Sequence, residues 1–133
     1  MATEKVYHRK LVRDKVPPKL TKKGVAFSTR PLSDIEFQEK LRRKLIEEAT
    51  EVGDAKTRDE LVNEIADVLE VIDELRRSNE LHASQIAAAK RKKFSENGGY
   101  KERIFLEWAE KDSQEPEVRL GWKVGTNTPP KRA

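Results

Sequence analysis

The chain has 133 residues, enough for one domain with a small appendage, and its 39% charged against 35% hydrophobic residues leave only a thin core. It has no cysteine, which excludes disulfides and cysteine-ligated zinc, and its two histidines lie too far apart in sequence to suggest a histidine metal site. No apolar run reaches the length of a membrane span, and the N-terminus lacks a signal-peptide core. We therefore expect a soluble, cytoplasmic protein without a membrane partner.

The first predicted region is an irregular basic arm over residues 1–32. The net charge of +4 is unevenly spread, because residues 5–23 contain eight Lys or Arg and a single acid, Asp14. Prolines and a glycine interrupt regular structure in the arm. We expect one helical turn over residues 10–16, before the first prolines, and a short strand over residues 25–29.

Three helices are predicted after the arm, over residues 34–52, 58–78 and 81–93. Ser33 is the expected N-cap of the first, because Glu36 lies three residues later as its capping-box partner. A glycine directly after residue 52 is expected to end that helix. The next helix follows after a short loop, so the two should form an antiparallel hairpin.

The predicted fold class is therefore all-α: a helical hairpin plus a third helix. Since the core is thin, we expect a second copy to complete a four-helix-bundle-like core as a homodimer. The domain is predicted over residues 1–107, with the helical core at 33–96. A short extended segment is expected over residues 100–106, and residues 108–133 are predicted to be a partly disordered tail.

Two pairs of acids on the predicted hairpin are candidate metal ligands: Glu48 and Glu51 on the first helix, Glu64 and Asp67 on the second. Within each pair the i, i+3 spacing brings the side chains to one side of the helix. Spacing alone is weak, because other acid pairs in the chain share it, and solvated surface is the plain interpretation of such pairs. Examples are Glu36/Glu39, Glu70/Asp73 and Glu107/Glu110. The position on the helical wheel distinguishes the four candidate ligands.

Each hairpin helix carries a stripe of apolar residues at helical spacing. The first stripe contains Phe37, Leu41, Leu45 and Val52, and the second contains Leu61, Ile65, Val68, Ile72 and Leu75. Glu48 and Glu64 fall inside these stripes, with Glu51 and Asp67 at their margins. Buried like charges are costly without compensation, and neither stripe offers a Lys or Arg as a partner. A divalent cation is the simplest compensation, and an all-carboxylate site suits Mg²⁺, with Mn²⁺ as a substitute.

Mg²⁺ usually completes its coordination shell with waters and substrate phosphates, which points to phosphate chemistry. Glu47 and Glu48 are the candidate catalytic residues, with Glu47 as general base or outer ligand. A polyphosphate also needs cations, although solvated surface is the alternative role for each of them. The candidate phosphate-binding residues are Lys10, Arg13, Lys15, Lys44, Lys101 and Arg103.

Three segments resemble the MazG-like all-α nucleoside triphosphate (NTP) pyrophosphatases. EEATE at 47–51 followed by ELVNEIADVLEVIDEL at 60–75 is similar to the family's EExxE and ExxD signature. KLVRDKVP at 10–17 and NGGYKERIFLE at 97–107 resemble its small house-cleaning, phosphoribosyl-ATP-pyrophosphohydrolase-like branch. One departure is Asn97, since the branch commonly has Arg before the glycine pair.

The resemblance implies Mg²⁺-dependent cleavage of an NTP, often a non-canonical one, at the α–β phosphate bond to give a nucleoside monophosphate (NMP) and pyrophosphate. It assigns the metal to Glu48, Glu51, Glu64 and Asp67, with Glu47 as the preceding acid. It also implies a dimer or a higher assembly. Which nucleotide is the substrate stays open.

Two other functions remain as alternatives. A non-catalytic helical interaction module would explain the apolar stripes but not the acids placed on them. A nucleic-acid-binding protein would use the basic arm and the basic residues at 90–93. The acidic centre and the lack of interleaved aromatic residues argue against a nucleic-acid partner.

Overall fold

The computed structural model describes residues 3–111, and this part of the chain contains four α-helices and no β-strand. The helices are α1 (Val16–Lys22), α2 (Asp34–Asp54), α3 (Arg58–Ser78) and α4 (Ala83–Asn97). The all-α class is confirmed. Within the described residues, none of the helices combines the length and apolar character needed to cross a membrane. Most of the predicted tail lies outside the described residues.

The short helix α1 begins later than the sequence prediction placed it. The expected turn over residues 10–16 is wrong: α1 starts at Val16 and includes Pro17 and Pro18 in its first turn. Proline is tolerated there because the first N–H groups of a helix have no intrahelical acceptor, so their loss costs nothing. The strand expected over residues 25–29 is also wrong, since that segment has no regular secondary structure.

Helix α2 begins as the capping box predicts. The Ser33 hydroxyl accepts a hydrogen bond from the Glu36 amide at 3.3 Å, and the Glu36 carboxylate accepts one from the Ser33 amide at 3.5 Å. Its end differs, because Gly53 remains within the helix and the chain turns extended at Ala55, with φ −62° and ψ 132°. Thr57 then caps α3 by accepting a hydrogen bond from the Glu60 amide at 3.1 Å.

Helices α2 and α3 form the predicted antiparallel hairpin. Gln38, near the start of α2, donates to the Ser78 hydroxyl at the end of α3 at 2.9 Å and accepts from Asn79 at 2.8 Å. Leu41, at 4% exposure, is the one buried apolar residue in the described part of the chain. The remaining stripe residues of α2 are half-buried, as are Val68 and Leu75.

The apolar stripe of α3 is not fully buried in the single chain. Leu61, Ile65 and Ile72, which the stripe assigned to the core, are 41%, 43% and 37% exposed. Val62 and Leu69 on the same helix are more exposed still. The core of the first unit is therefore thin, as composition predicts.

The chain divides into two compact units at residues 80 and 81, and the second contains α4. This helix runs four residues beyond its predicted end, to Asn97. His82 precedes it and donates its amide to the Gln85 side chain at 2.7 Å. Gly98 ends it with a φ of 76°, in the left-handed region that favours glycine. Residues 100–103 form a turn, and no strand follows in the described residues.

Candidate metal centre

The hairpin brings the four predicted ligands together near its connecting loop. Glu48 and Glu51 lie in the last two turns of α2, and Glu64 and Asp67 lie in the second and third turns of α3. Each offers one carboxylate oxygen, and these oxygens all lie within 4.8 Å of one another. Two oxygens on one Mg²⁺ are at most about 4.2 Å apart, because each Mg–O bond is about 2.1 Å long. The group needs to contract only slightly to hold one ion.

Glu48 is the most deeply buried acid of the described chain, at 7% exposure. Its Oε1 atom forms an ion pair with the Lys44 ammonium at 3.1 Å. Its Oε2 atom is buried without a hydrogen-bond partner among the described residues. Burial raises the pKa of this carboxyl, and Glu51 raises it further, while Lys44 opposes both. The structure thus places an incompletely compensated carboxylate where the apolar stripe calls for leucine.

Glu64 repeats this feature on the partner helix. Its Oε2 atom is also buried and has no hydrogen-bond partner in the part of the chain that is described. Neither Glu51 nor Glu64 has a Lys or Arg within 4.0 Å among residues 3–111. Buried carboxylate oxygens normally have partners, so two without a partner in a single acidic group suggest a binding position for a cation.

Two cations that belong to neither apolar stripe reach the acidic group. Neither stripe contains a Lys or Arg, but Lys44 lies one helical turn before Glu48 and pairs with it. Arg13, in the N-terminal arm, donates to Asp67 Oδ1 at 2.7 Å. Within the acidic group, each cation takes one oxygen of one carboxylate. Glu51 is exposed, so the case for a metal now depends most on the buried Oε2 atoms of Glu48 and Glu64.

Glu47 lies beside the acidic group without joining it. Its Oε1 atom is 3.6 Å from the Lys10 ammonium, and its Oε2 atom is 3.6 Å from the Lys44 ammonium. The carboxylate therefore holds two lysines from different segments of the chain next to each other. A direct catalytic role for Glu47 stays a prediction, and the geometry shows it positioning cations.

Of the six predicted phosphate-binding residues, the structure brings Lys10, Arg13 and Lys44 to the acids. Lys15 is exposed directly before α1. Lys101 and Arg103 are exposed and lie in the turn of the second unit, so their predicted role stays untested.

The set of donors determines which ion could bind. Four carboxylates without sulfur or imidazole suit a hard divalent cation, either Mg²⁺ or Mn²⁺. The fold and these acids together define a helical hairpin protein with a candidate carboxylate metal centre. Comparison with protein-family models, curated proteins and solved structures finds no match to the chain. The MazG-like resemblance therefore stays a prediction that depends on the three sequence segments.

Proposed function

We propose that this protein is a cytoplasmic, divalent-metal-dependent NTP pyrophosphohydrolase that releases NMP and pyrophosphate. The observation that carries the proposal is the pair of orphaned, buried oxygens of Glu48 and Glu64 within a group of four carboxylates. Such oxygens stabilise nothing in the free protein and fit a bound cation. The resemblance to the MazG-like enzymes supplies the substrate class, since carboxylates alone do not distinguish a triphosphate from other phosphate compounds.

In the proposed reaction, a water gives up a proton to Glu47, the predicted general base, and its oxygen forms a bond to the α-phosphorus. The bridging bond to the β-phosphate breaks and leaves its electron pair on pyrophosphate. Glu48, Glu51, Glu64 and Asp67 would hold the cation. When bound, it would supply charge neutralisation at the phosphates and a more acidic water. Lys44 and Arg13 pair with two of these acids, and Lys10 pairs with the neighbouring Glu47, so all three could present charged donors to phosphate oxygens.

The exposed apolar side chains of α3 support the homodimer as part of this proposal. Large patches of this kind are uncommon on monomers and often mark an interface. The non-catalytic interaction module would use the same patch, so the patch does not separate the two functions. The acidic group does, because a purely structural interface has no use for uncompensated buried carboxylates.

The test is an assay of pyrophosphate release from canonical and from deaminated, oxidised and methylated NTPs. Each nucleotide is assayed with Mg²⁺, with Mn²⁺ and with EDTA. We expect release from at least one nucleotide, dependent on the metal. Release from none of them would contradict the proposed function and favour the interaction module.

Glu48→Gln and Glu64→Gln identify the site. Loss of groups that merely support metal ligands costs about 10- to 100-fold, so loss of a ligand should lower kcat/KM at least about 100-fold. The matched control is Glu70→Gln, an exposed acid of α3 that pairs with Arg77 and should leave kcat/KM within about twofold. Full activity in both site variants would refute the metal assignment and leave the enzyme class intact.

A further inference from the structure

A basic cleft lies next to the acidic group, between residues 8–11 of the arm and the middle of α2. Its volume is about 210 Å³. The walls carry five Lys or Arg side chains and one carboxylate: Arg9, Lys10, Lys40, Arg43, Lys44 and Glu47. Cations gathered in a concave surface raise the local concentration of anions and repel one another when none is bound. The cleft therefore has the charge of an anion site.

The acids among residues 3–111 neutralise these five cations only in part. Glu47 forms ion pairs with both Lys10 and Lys44. Among the described residues, Arg43 pairs only with Glu39, on the same helix, at 3.4 Å. Lys40 has no carboxylate partner within residues 3–111.

Arg9 likewise lacks a carboxylate partner in the described chain, and its guanidinium instead lies over the Tyr7 ring, 5.2 Å from the centroid. Its backbone has a φ of 49°, a left-handed conformation that a non-glycine residue adopts only at an energetic cost. Such strain is often retained where a side chain must be held for a ligand.

The cleft and the acidic group share Lys44. Its ammonium is 3.6 Å from Glu47 Oε2, in the cleft wall, and 3.1 Å from Glu48 Oε1, in the acidic group. A ligand with several linked negative charges could therefore contact the cleft with one part and a cation on the carboxylates with another. A linear polyphosphate has this property.

We propose that the cleft binds the β- and γ-phosphates of the triphosphate, the part that leaves as pyrophosphate. This orientation places the α-phosphate at the four carboxylates and directs the nucleoside away from the basic arm. The orientation rests on the proposed function, whereas the affinity of the cleft for a polyphosphate does not. The cleft adds Arg9, Lys40 and Arg43 to the residues that contact substrate.

The experiment measures binding of inorganic tripolyphosphate to the whole protein in EDTA by titration calorimetry. It compares Lys40→Gln/Arg43→Gln with a control of equal charge change, Arg42→Gln/Arg58→Gln, at two exposed positions outside the cleft. We expect the cleft variant to lose at least about tenfold in affinity and the control less than about threefold, because charge-assisted hydrogen bonds are local. Equal losses in the two double variants, or no binding by the wild type, would overturn the proposal.

Two further readouts keep the result decisive. Lys40→Gln alone should weaken tripolyphosphate binding about threefold, so the test remains open if the double variant does not fold. A single-stranded oligonucleotide should bind wild type and cleft variant alike. If the cleft variant lost affinity for the oligonucleotide but not for tripolyphosphate, nucleic acid would replace polyphosphate as the ligand.

The NTP assay separates this proposal from the proposed function. If NTPs are hydrolysed, the cleft variant should raise KM about tenfold, since the lost contacts already hold the β- and γ-phosphates in the ground state. Hydrolysis with an unchanged KM would overturn the cleft assignment and leave the function standing. Tenfold weaker tripolyphosphate binding without any NTP hydrolysis would retain the anion site and overturn the function.

Discussion

The two ends of the α2–α3 hairpin differ in whether their polar groups have hydrogen-bond partners. At the open end, away from the connecting loop, the Gln38 amide donates to the Ser78 hydroxyl and accepts from Asn79. The same Asn79 amide donates to the Leu75 carbonyl at 2.8 Å and so helps to end α3. All of these groups are neutral and paired. The open end fastens the two helices together.

At the loop end, the facing polar groups are four carboxylates, and two of their buried oxygens lack partners among the described residues. The same pair of helices could have carried leucines there and packed more stably. Because the polar groups are paired at one end of the hairpin and costly at the other, the costly end is where we expect binding. The difference can be tested by perturbing each end separately.

The largest effect should come from adding metal. Saturating Mg²⁺ at about 100 times its dissociation constant should stabilise the folded protein by about 2.7 kcal/mol, measured as a rise in Tm. The double variant Glu48→Gln/Glu64→Gln should lose this increment, and the open-end variant Gln38→Ala should keep all of it. An equal increment in all three proteins would show that the cation binds elsewhere.

A smaller effect is expected when the open end is broken. Gln38→Ala should lower the free energy of unfolding by about 1 to 2 kcal/mol in EDTA, because Ser78 and Asn79 both lose a hydrogen-bond partner. Urea unfolding measures the change. Asn63→Ala, which removes an exposed amide from α3, is the matched control and should be neutral or slightly stabilising, since alanine favours helices. A loss of stability in the control as large as in Gln38→Ala would remove the special role of the open end.

The smallest effect concerns pH and sharpens the contrast at Glu48. Burial raises the pKa of this carboxyl above its usual 4.5, so the folded protein keeps a proton that the unfolded chain has already released. Folding then binds protons, and stability falls as pH rises through the range just above 4.5. In EDTA, wild type should lose stability relative to Glu48→Gln over this range, as measured by urea unfolding. A relative gain would show that Lys44 more than compensates for burial.

The hairpin was predictable from sequence because its signals are local. The capping box at Ser33 and the 4,3 spacing of apolar residues in α3 both act within a few residues. The burial of Glu48 was also predictable, since its position on the helical wheel coincides with a leucine position. The predicted end of α2 at Gly53 was wrong, because glycine permits a helix to end but does not require it. The helix continues to Asp54, and the chain becomes extended at Ala55.

Other features depend on contacts between residues that are far apart in the sequence. The i, i+4 spacing of Lys44 and Glu48 favours an ion pair. The apolar stripes do not predict it, because Lys44 is not an apolar residue. The Arg13–Asp67 pair joins residues 54 positions apart, and only the path of the arm brings them together. The basic cleft was invisible for the same reason, because it needs the arm and α2 side by side.

The ion pair between Arg13 and Asp67 makes the arm and the acidic group thermodynamically linked. A divalent ion that takes up Asp67 Oδ1 competes with Arg13 for the same oxygen, so each weakens the hold of the other by one and the same factor. Under the proposed metal binding, occupancy by the ion would be exchanged against an arm contact, and the released guanidinium would gain the freedom to contact an anion. The ion pair would then be the reversible metal-free counterpart of the bound cation.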